Sequence, residues 1–149
     1  MDGISLRPLG MEDIPAISEI HAQACRIAYA FMGWDHALED VRRWYESEKF
    51  AQWDWGLVAE AGGAEAGFIA MTGAHIDQLF IRPARQGQGI GSGLMDAALA
   101  RNLRPATLDV FEGNAPARRF YERYGFSEHD RWFNQWDKAV ELRYVLATG

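Results

Sequence analysis

Four glycines at alternate positions, Gly87, Gly89, Gly91 and Gly93, lie in the stretch RPARQGQGIGSGLM, Arg82 to Met95. An apolar run that stops at Pro83 precedes them, and a helical run, GLMDAALARNL, follows. A flexible linker would be flanked by polar, unpatterned sequence. A strand–glycine loop–helix junction instead presents unpaired backbone N–H groups and the positive end of a helix dipole. Without Cβ atoms those N–H groups approach an anion closely, so the expected chemistry is phosphate binding. Two common phosphate loops fail here. A P-loop needs Gly, four residues and Gly-Lys-Ser/Thr, and no lysine lies nearby. A dinucleotide loop needs G-x-G-x-x-G. The third glycine position falls on Ser92 when counted from Gly87, and on Leu94 when counted from Gly89. The single cysteine, Cys25, excludes an internal disulfide and disfavours a cysteine-based metal site.

A third pattern, Gln/Arg-x-x-Gly-x-Gly/Ala, is met at every fixed position by Gln86 to Gly91. With its setting, DQLFIRPARQGQGIGSGLM, it resembles the strand, proline, loop and helix of the Gcn5-related N-acetyltransferase (GNAT) superfamily. LDVFEGNAPARRFYERYGF resembles that family's later block of strand, asparagine, small residues, aromatic-Tyr and Gly-Phe. The resemblance spans nearly the whole chain. It implies an acetyl-CoA-dependent N-acetyltransferase that moves acetyl to a primary amine by direct attack in a ternary complex, with no metal. The alternatives are a peptide or ribosomal-protein N-terminal acetyltransferase, and a non-catalytic acyl-CoA-binding module.

The same resemblance implies roles residue by residue. The pyrophosphate cradle carries over to Gln86, Gly87, Gln88, Gly89, Ile90 and Gly91, with the Ser92 hydroxyl as a further donor. Arg82 and Arg85 are candidates for the phosphates. The backbone of Leu79, Phe80 and Ile81 would flank the pantetheine arm, with Asn114 and Phe120 beside it. Gly93 lies outside the motif and is expected to serve helix packing. Tyr121 matches the family tyrosine that protonates the departing thiolate; Tyr124 is the weaker alternative. A phenol within reach of developing negative charge on sulfur can do this. The base is open among His75, Asp77 and Asp109. His75, Asp77, Leu79 and Ile81 would share one face of a regular strand, and a histidine titrates in the useful range. By resemblance the acceptor lies where the first helix–helix loop meets the last hairpin. Tyr29, Phe31, Trp34 and Trp132, with Phe133 and Trp136, are candidates for an aromatic cleft that holds an amine.

These residues need elements to position them. ISLRPL alternates like a strand, and Ile14, Ile17, Ile20 and Ala24 mark a helix over residues 11–29. ALEDVRRWYESEKF is a second helix, joined to the first through the loop FMGWDH. WGLVAE and AGFIAMT flank Gly62-Gly63 as a hairpin. Asn114, Pro116 and Gly125 mark the two ends of a short helix. RWFNQWD and VELRYVL close the chain as a hairpin. The order predicts an α+β, three-layer fold: a mixed, mostly antiparallel sheet of about seven strands flanked by about four helices. At 149 residues with 48% hydrophobic content, one domain over residues 1–149 is expected. The 13% aromatic content, with six tryptophans, suggests that some line a pocket. The net charge of −6 argues against a nucleic-acid partner. No apolar run reaches membrane-spanning length and no secretory signal is seen, so a cytoplasmic location is expected. A homodimer is a further expectation.

Overall fold

Tight antiparallel turns need backbone that only glycine adopts cheaply. Gly62 and Gly63 supply it with φ of 61° and 81°. They fold β2 (Trp55–Ala61) back on β3 (Ala64–Thr72). The computed structural model describes residues 3–148. It contains β1 (Ile4–Pro8), α1 (Ile14–Ala28), α2 (Leu38–Trp44), β4 (His75–Ile81), α3 (Ile90–Leu99), β5 (Ala106–Phe111), α4 (Ala115–Arg123), β6 (Ser127–Asn134) and β7 (Ala139–Leu146). The strands form one sheet in the order β1-β2-β3-β4-β5-β7-β6. Only β4 and β5 pair in parallel; the other neighbours are antiparallel. The expected fold class and element order are therefore found.

Helices cover both faces. Ile14, Ile17 and Ile20 of α1 pack with Val41, Tyr45, Val58 and Phe68 on one side. Ile90, Leu94, Met95 and Ala98 of α3 pack with Ile69, Met71, Leu108 and Leu142 on the other. Ile90, Leu94 and Met95 are at most 1% exposed. Each such side chain contributes roughly 1.5–3 kcal/mol of gross burial energy, which anchors α3 and the loop leading into it. The second helix departs from expectation. After Trp44 it widens into a π-turn over Tyr45–Lys49 and tightens at Phe50–Gln52. A short 3₁₀ turn, Ala30–Met32, leads into FMGWDH and ends on Gly33 at φ 69°. β6 begins at Ser127, earlier than the sequence suggests, because SEHD is exposed and carries no alternating apolar signal. No helix among the described residues is long and apolar enough to cross a membrane.

The parallel pair positions the site. β4 and β5 are in register only at His75↔Thr107 and Ile76↔Leu108. β4 then continues to Ile81 and β5 to Phe111 without pairing with each other. From Asp77 onward, the edge of β4 that faces β5 has no backbone partner. The register of β4 against β3 also slips between Ile76↔Met71 and Gln78↔Ala70, leaving Asp77 as a bulged residue.

Candidate functional site

A cleft of about 1250 Å³ opens where β4 and β5 diverge. One end is the glycine loop. Gly87 and Gly89 have φ of 77° and 82°, which a side chain would strain. Gly89 caps α3 without a side-chain partner. The first backbone bond of that turn is Gly93 N–H to Gly89 C=O, at 3.0 Å. Among the described residues, the amides of Ile90, Gly91 and Ser92 have no protein acceptor. These free donors at the positive end of a helix suit an anion. A Cβ on Gly91 would meet Phe120 Cζ at 3.6 Å, an ordinary contact. Gln86, Gly87, Gly89, Ile90, Gly91 and Ser92 all line the cleft.

Several expectations at this end need correction. Gln88 does not line the cleft. Gly93 faces open space where a side chain would go: an added Cβ would have no heavy atom beyond its own helix turn within 4 Å. Arg82 is committed elsewhere, donating to Glu19 Oε1 and to the Glu65 carbonyl at 2.6 Å each. Arg85 does line the cleft, while donating to Ala61 C=O at 3.3 Å. Arg123, which nothing in the sequence singled out, also lines it; its guanidinium lies 5.8 Å from the Phe120 ring centre.

The middle of the cleft carries Tyr121, Asn114 and the unpaired edge of β4. Asn114 caps α4, its Oδ1 accepting from Ala117 N–H at 3.4 Å. It also lies beside the Tyr29 hydroxyl. Pro116 in the first turn and Gly125 at φ 101° bound the helix as expected. Tyr121 stands over Phe120 and Phe126, with ring centres 5.6 and 6.1 Å away. Its hydroxyl bonds to no group among the described residues, and burial pushes the phenol up to about 12. It therefore keeps its proton at neutral pH. Tyr124 is excluded from the cleft because its hydroxyl donates to Asp96 Oδ1 at 2.9 Å.

The expected common face of His75, Asp77, Leu79 and Ile81 does not form. Leu79 and Ile81 pack with Ile76 toward α3, and Phe80 packs toward α1 and α2. The bulge turns Asp77 to the α2 side, where its Oδ2 meets Lys49 Nζ and Trp53 Nε1 at 2.8 Å each. Asp109 forms a two-point ion pair with Arg143. His75 Nδ1 lies 2.7 Å from Thr107 Oγ1, and burial lowers its pKa. All three candidate bases line the cleft. Only His75 carries no ion pair to a full cation.

At the end of the cleft expected to take the acceptor, Tyr29 and Trp34 line the wall, as does Trp44. Phe31 does not: it is half exposed and lies over Gly113, where a Cβ would come within 2.6 Å of its ring. Trp132 donates to Glu141 Oε1 at 3.1 Å and stays outside the lining. Phe133 and Trp136 point outward, at 51% and 94% exposure. His21 is the main residue missed. It is buried, accepts or donates at 2.7 Å with Tyr45 Oη, and packs against Phe80 and Trp34 in the wall. The apolar spacing of α1 hid it, since it falls one turn after Ile17 on the buried face.

The GNAT acetyltransferase domain model matches residues 53–128, just over half of the chain. The chain belongs to the GNAT acetyltransferase family. The matched segment runs from the start of β2 to the start of β6 and so contains the glycine loop, the splayed strands and Tyr121. Among GNAT relatives, the peptidyl-lysine N-acetyltransferase YjaB of Salmonella typhimurium is 48% identical over 61 residues. That match covers 40% of this chain and 41% of the relative. The peptidyl-lysine N-acetyltransferase YiaC of Escherichia coli is 28% identical over 81% of this chain and 82% of its own length. Among solved structures, the PaiA N-acetyltransferase of Thermoplasma acidophilum, in complex with coenzyme A, superposes with a TM-score of 0.75. That superposition covers 96% of this chain and 99% of that one at 20% identity, which supports the GNAT fold.

Proposed function

We propose that residues 1–149 act as one acetyl-CoA-dependent N-acetyltransferase domain that acetylates a primary amine by direct attack. One observation carries this: a single cleft joins free amides at the N-terminus of α3, an unpaired strand edge, and a protonated, unbonded tyrosine hydroxyl. The residues suit the co-substrate. The amides of Ile90, Gly91 and Ser92 face the pyrophosphate, and Arg85 and Arg123 supply nearby positive charge. The open edge of β4 at Leu79, Phe80 and Ile81 offers N–H and C=O groups to the amides of the pantetheine arm, and Phe120 packs along it.

Acetyl-CoA supplies a thioester carbonyl open to attack and a thiolate leaving group. His75 is the base in this mechanism. Burial keeps its ring neutral at physiological pH, and Thr107 holds Nδ1. Nε2 then takes the proton lost by the attacking nitrogen. Asp77 and Asp109 are worse placed because Lys49 and Arg143 already occupy their oxygens. Tyr121 donates its proton to the departing sulfur, so one proton passes from the nitrogen to His75 and one from Tyr121 to the sulfur, and exchange with solvent restores both side chains. Cys25 is fully buried, outside the cleft lining, with its thiol pushed up by desolvation, so it offers no nucleophile. The names of the relatives support a lysine side chain in a polypeptide as the acceptor.

Removal of the Tyr121 hydroxyl tests the assignment. Tyr121→Phe should lower kcat by roughly a hundredfold or more, the range of a positioned general acid. Acetyl-CoA should still raise the melting temperature of the variant as it does for the wild type. Unchanged turnover removes Tyr121 from the chemistry, and a melting curve indifferent to acetyl-CoA in both proteins removes the co-substrate.

A further inference from the structure

A row of charged side chains crosses the sheet on the face toward α1 and α2. Asp77 stands on β4, Asp109 on β5, and Arg143 and Glu141 on β7. Lys49 neutralises Asp77, and Arg143 neutralises Asp109. Glu141 has no cation within 4.0 Å among the described residues. Its carboxylate is nonetheless held firmly. Oε1 accepts from Trp132 Nε1 and Asn134 Nδ2 at 3.1 Å each. Asn134 is fixed in turn, its Oδ1 accepting the N–H groups of Trp136 and Asp137 at 2.9 Å. Oε2 of Glu141 has no donor among the described residues. The side chain lines the cleft beside Tyr29.

Register sets its distance from the chemistry. Asp109 pairs with Arg143, and Phe111 with Glu141. Phe111 is two residues beyond Asp109, the first residue of β5 past the last β4–β5 pair, and Glu141 lies one strand further across. Along the strands it is four residues, about 13 Å, from the level of His75. A fixed carboxylate with one oxygen free and no direct ion pair, lining the same cleft, suits a positive charge on the acceptor other than the reacting nitrogen, which must be neutral to attack.

We propose that Glu141 binds a second cationic group of the acceptor, so that the preferred substrates are primary amines bearing another positive charge. This rests on the acetyltransferase reading of the same cleft. A short polyamine and a basic peptide share this chemistry, and the test separates them.

Glu141→Gln keeps a carbonyl for Trp132 and Asn134 and removes the charge. Wild type and variant would be assayed by thiol release with 1,5-diaminopentane against pentylamine. A second arm would use two blocked peptides that carry one lysine, with or without an adjacent arginine. Loss of a charge-assisted bond should lower kcat/KM for the dicationic member roughly tenfold, through KM. The monocationic member should change by less than about twofold. An effect confined to the diamine assigns a small polyamine, and one confined to the arginine peptide assigns a polypeptide. Equal loss for both members of each pair, or no loss, overturns the role of Glu141. Calorimetric titration of diaminopentane into both proteins reads the site without turnover. Glu141-dependent binding with no acetyl transfer to any amine would refute the enzyme reading and leave this site standing.

Discussion

Gly89 and Gly93 lie one turn apart around the start of α3, and the structure assigns opposite consequences to the same substitution. Gly89 has φ 82° and ψ 7°. Any residue with a Cβ costs about 1–2 kcal/mol in that left-handed conformation. No heavy atom lies within 4 Å of the added methyl, so the cost is backbone strain alone. Gly93 has equally open space but ordinary helical backbone. Alanine there gains about 0.5–1 kcal/mol from helix propensity and a less flexible unfolded chain. For a chain of this length 1 kcal/mol moves the midpoint by about 2–4 °C. Gly89→Ala should therefore melt about 2–8 °C below the wild type, and Gly93→Ala about 1–4 °C above it. Circular dichroism melts and urea titrations, each with and without coenzyme A, measure both. Gly89→Ala should also weaken the stabilisation by coenzyme A, because the strained cap turns the amides of Ile90 and Gly91. Gly93→Ala should keep that stabilisation. A destabilised Gly93→Ala, or a Gly89→Ala indistinguishable from wild type, would refute the conformations on which the anion cradle is built.

Two further outcomes concern buried titratable groups to which the proposed mechanism gives no proton. Asp13 is 4% exposed and binds the Arg7 guanidinium at 2.8 and 3.0 Å and Gly10 N–H at 2.8 Å. These contacts hold its carboxyl below the ordinary value. The folded state thus favours the ionised form. The stability it adds is present above pH 4 and is lost as pH falls further. Asp13→Asn should cost about 2 kcal/mol in urea denaturation at pH 7, and the gap should narrow toward pH 3. His21 also loses stability on acidification, but in a higher pH window and because the folded state favours its neutral form. Burial among aromatic rings lowers its pKa from 6.5 to about 4, so the folded state binds fewer protons than the unfolded chain. Stability is then lost as pH falls from 6.5 toward 4, by about 3 kcal/mol over that window. His21→Gln should flatten that limb of the urea midpoint against pH, and an unchanged slope would show that His21 is not the group responsible.

Features that depend on one residue's conformational demands were legible in the sequence. Gly62-Gly63, the Gly87/Gly89 loop, and the Asn114–Pro116–Gly125 frame of α4 were all found where local chemistry put them. Features that depend on a distant partner were not. Arg82 looked available for phosphate, but Glu19, 63 residues away, holds it. Phe31 and Trp132 looked like cleft walls, but one covers Gly113 and the other secures Glu141. His21 was indistinguishable from the apolar residues that share its helix face. Arg123 gave no signal, because an exposed arginine on a polar helix is commonplace.

Strand alternation misplaced the candidate bases in an instructive way. A regular β4 would set Asp77 on the side of Leu79 and Ile81, facing α3. The bulge at Asp77 inserts one residue, so alternation fails across it. Leu79 and Ile81 stay with Ile76 in the core against α3, while Asp77 joins Lys49 and Trp53 on the α2 side. His75, through Thr107, and Asp109, through Arg143, lie on that same side. The titratable groups therefore collect on one face of the splay, and the apolar side chains that anchor the unpaired edge collect on the other. Only the sequence HIDQLFI hints at this, since Asp77 and Gln78 put two polar residues in succession, which breaks the alternation of a regular strand. Ion pairing then divides the three groups. The carboxylates are neutralised where they stand, while the histidine, bonded only to a hydroxyl, keeps one ring nitrogen free; the proposed mechanism gives that nitrogen the proton of the attacking amine.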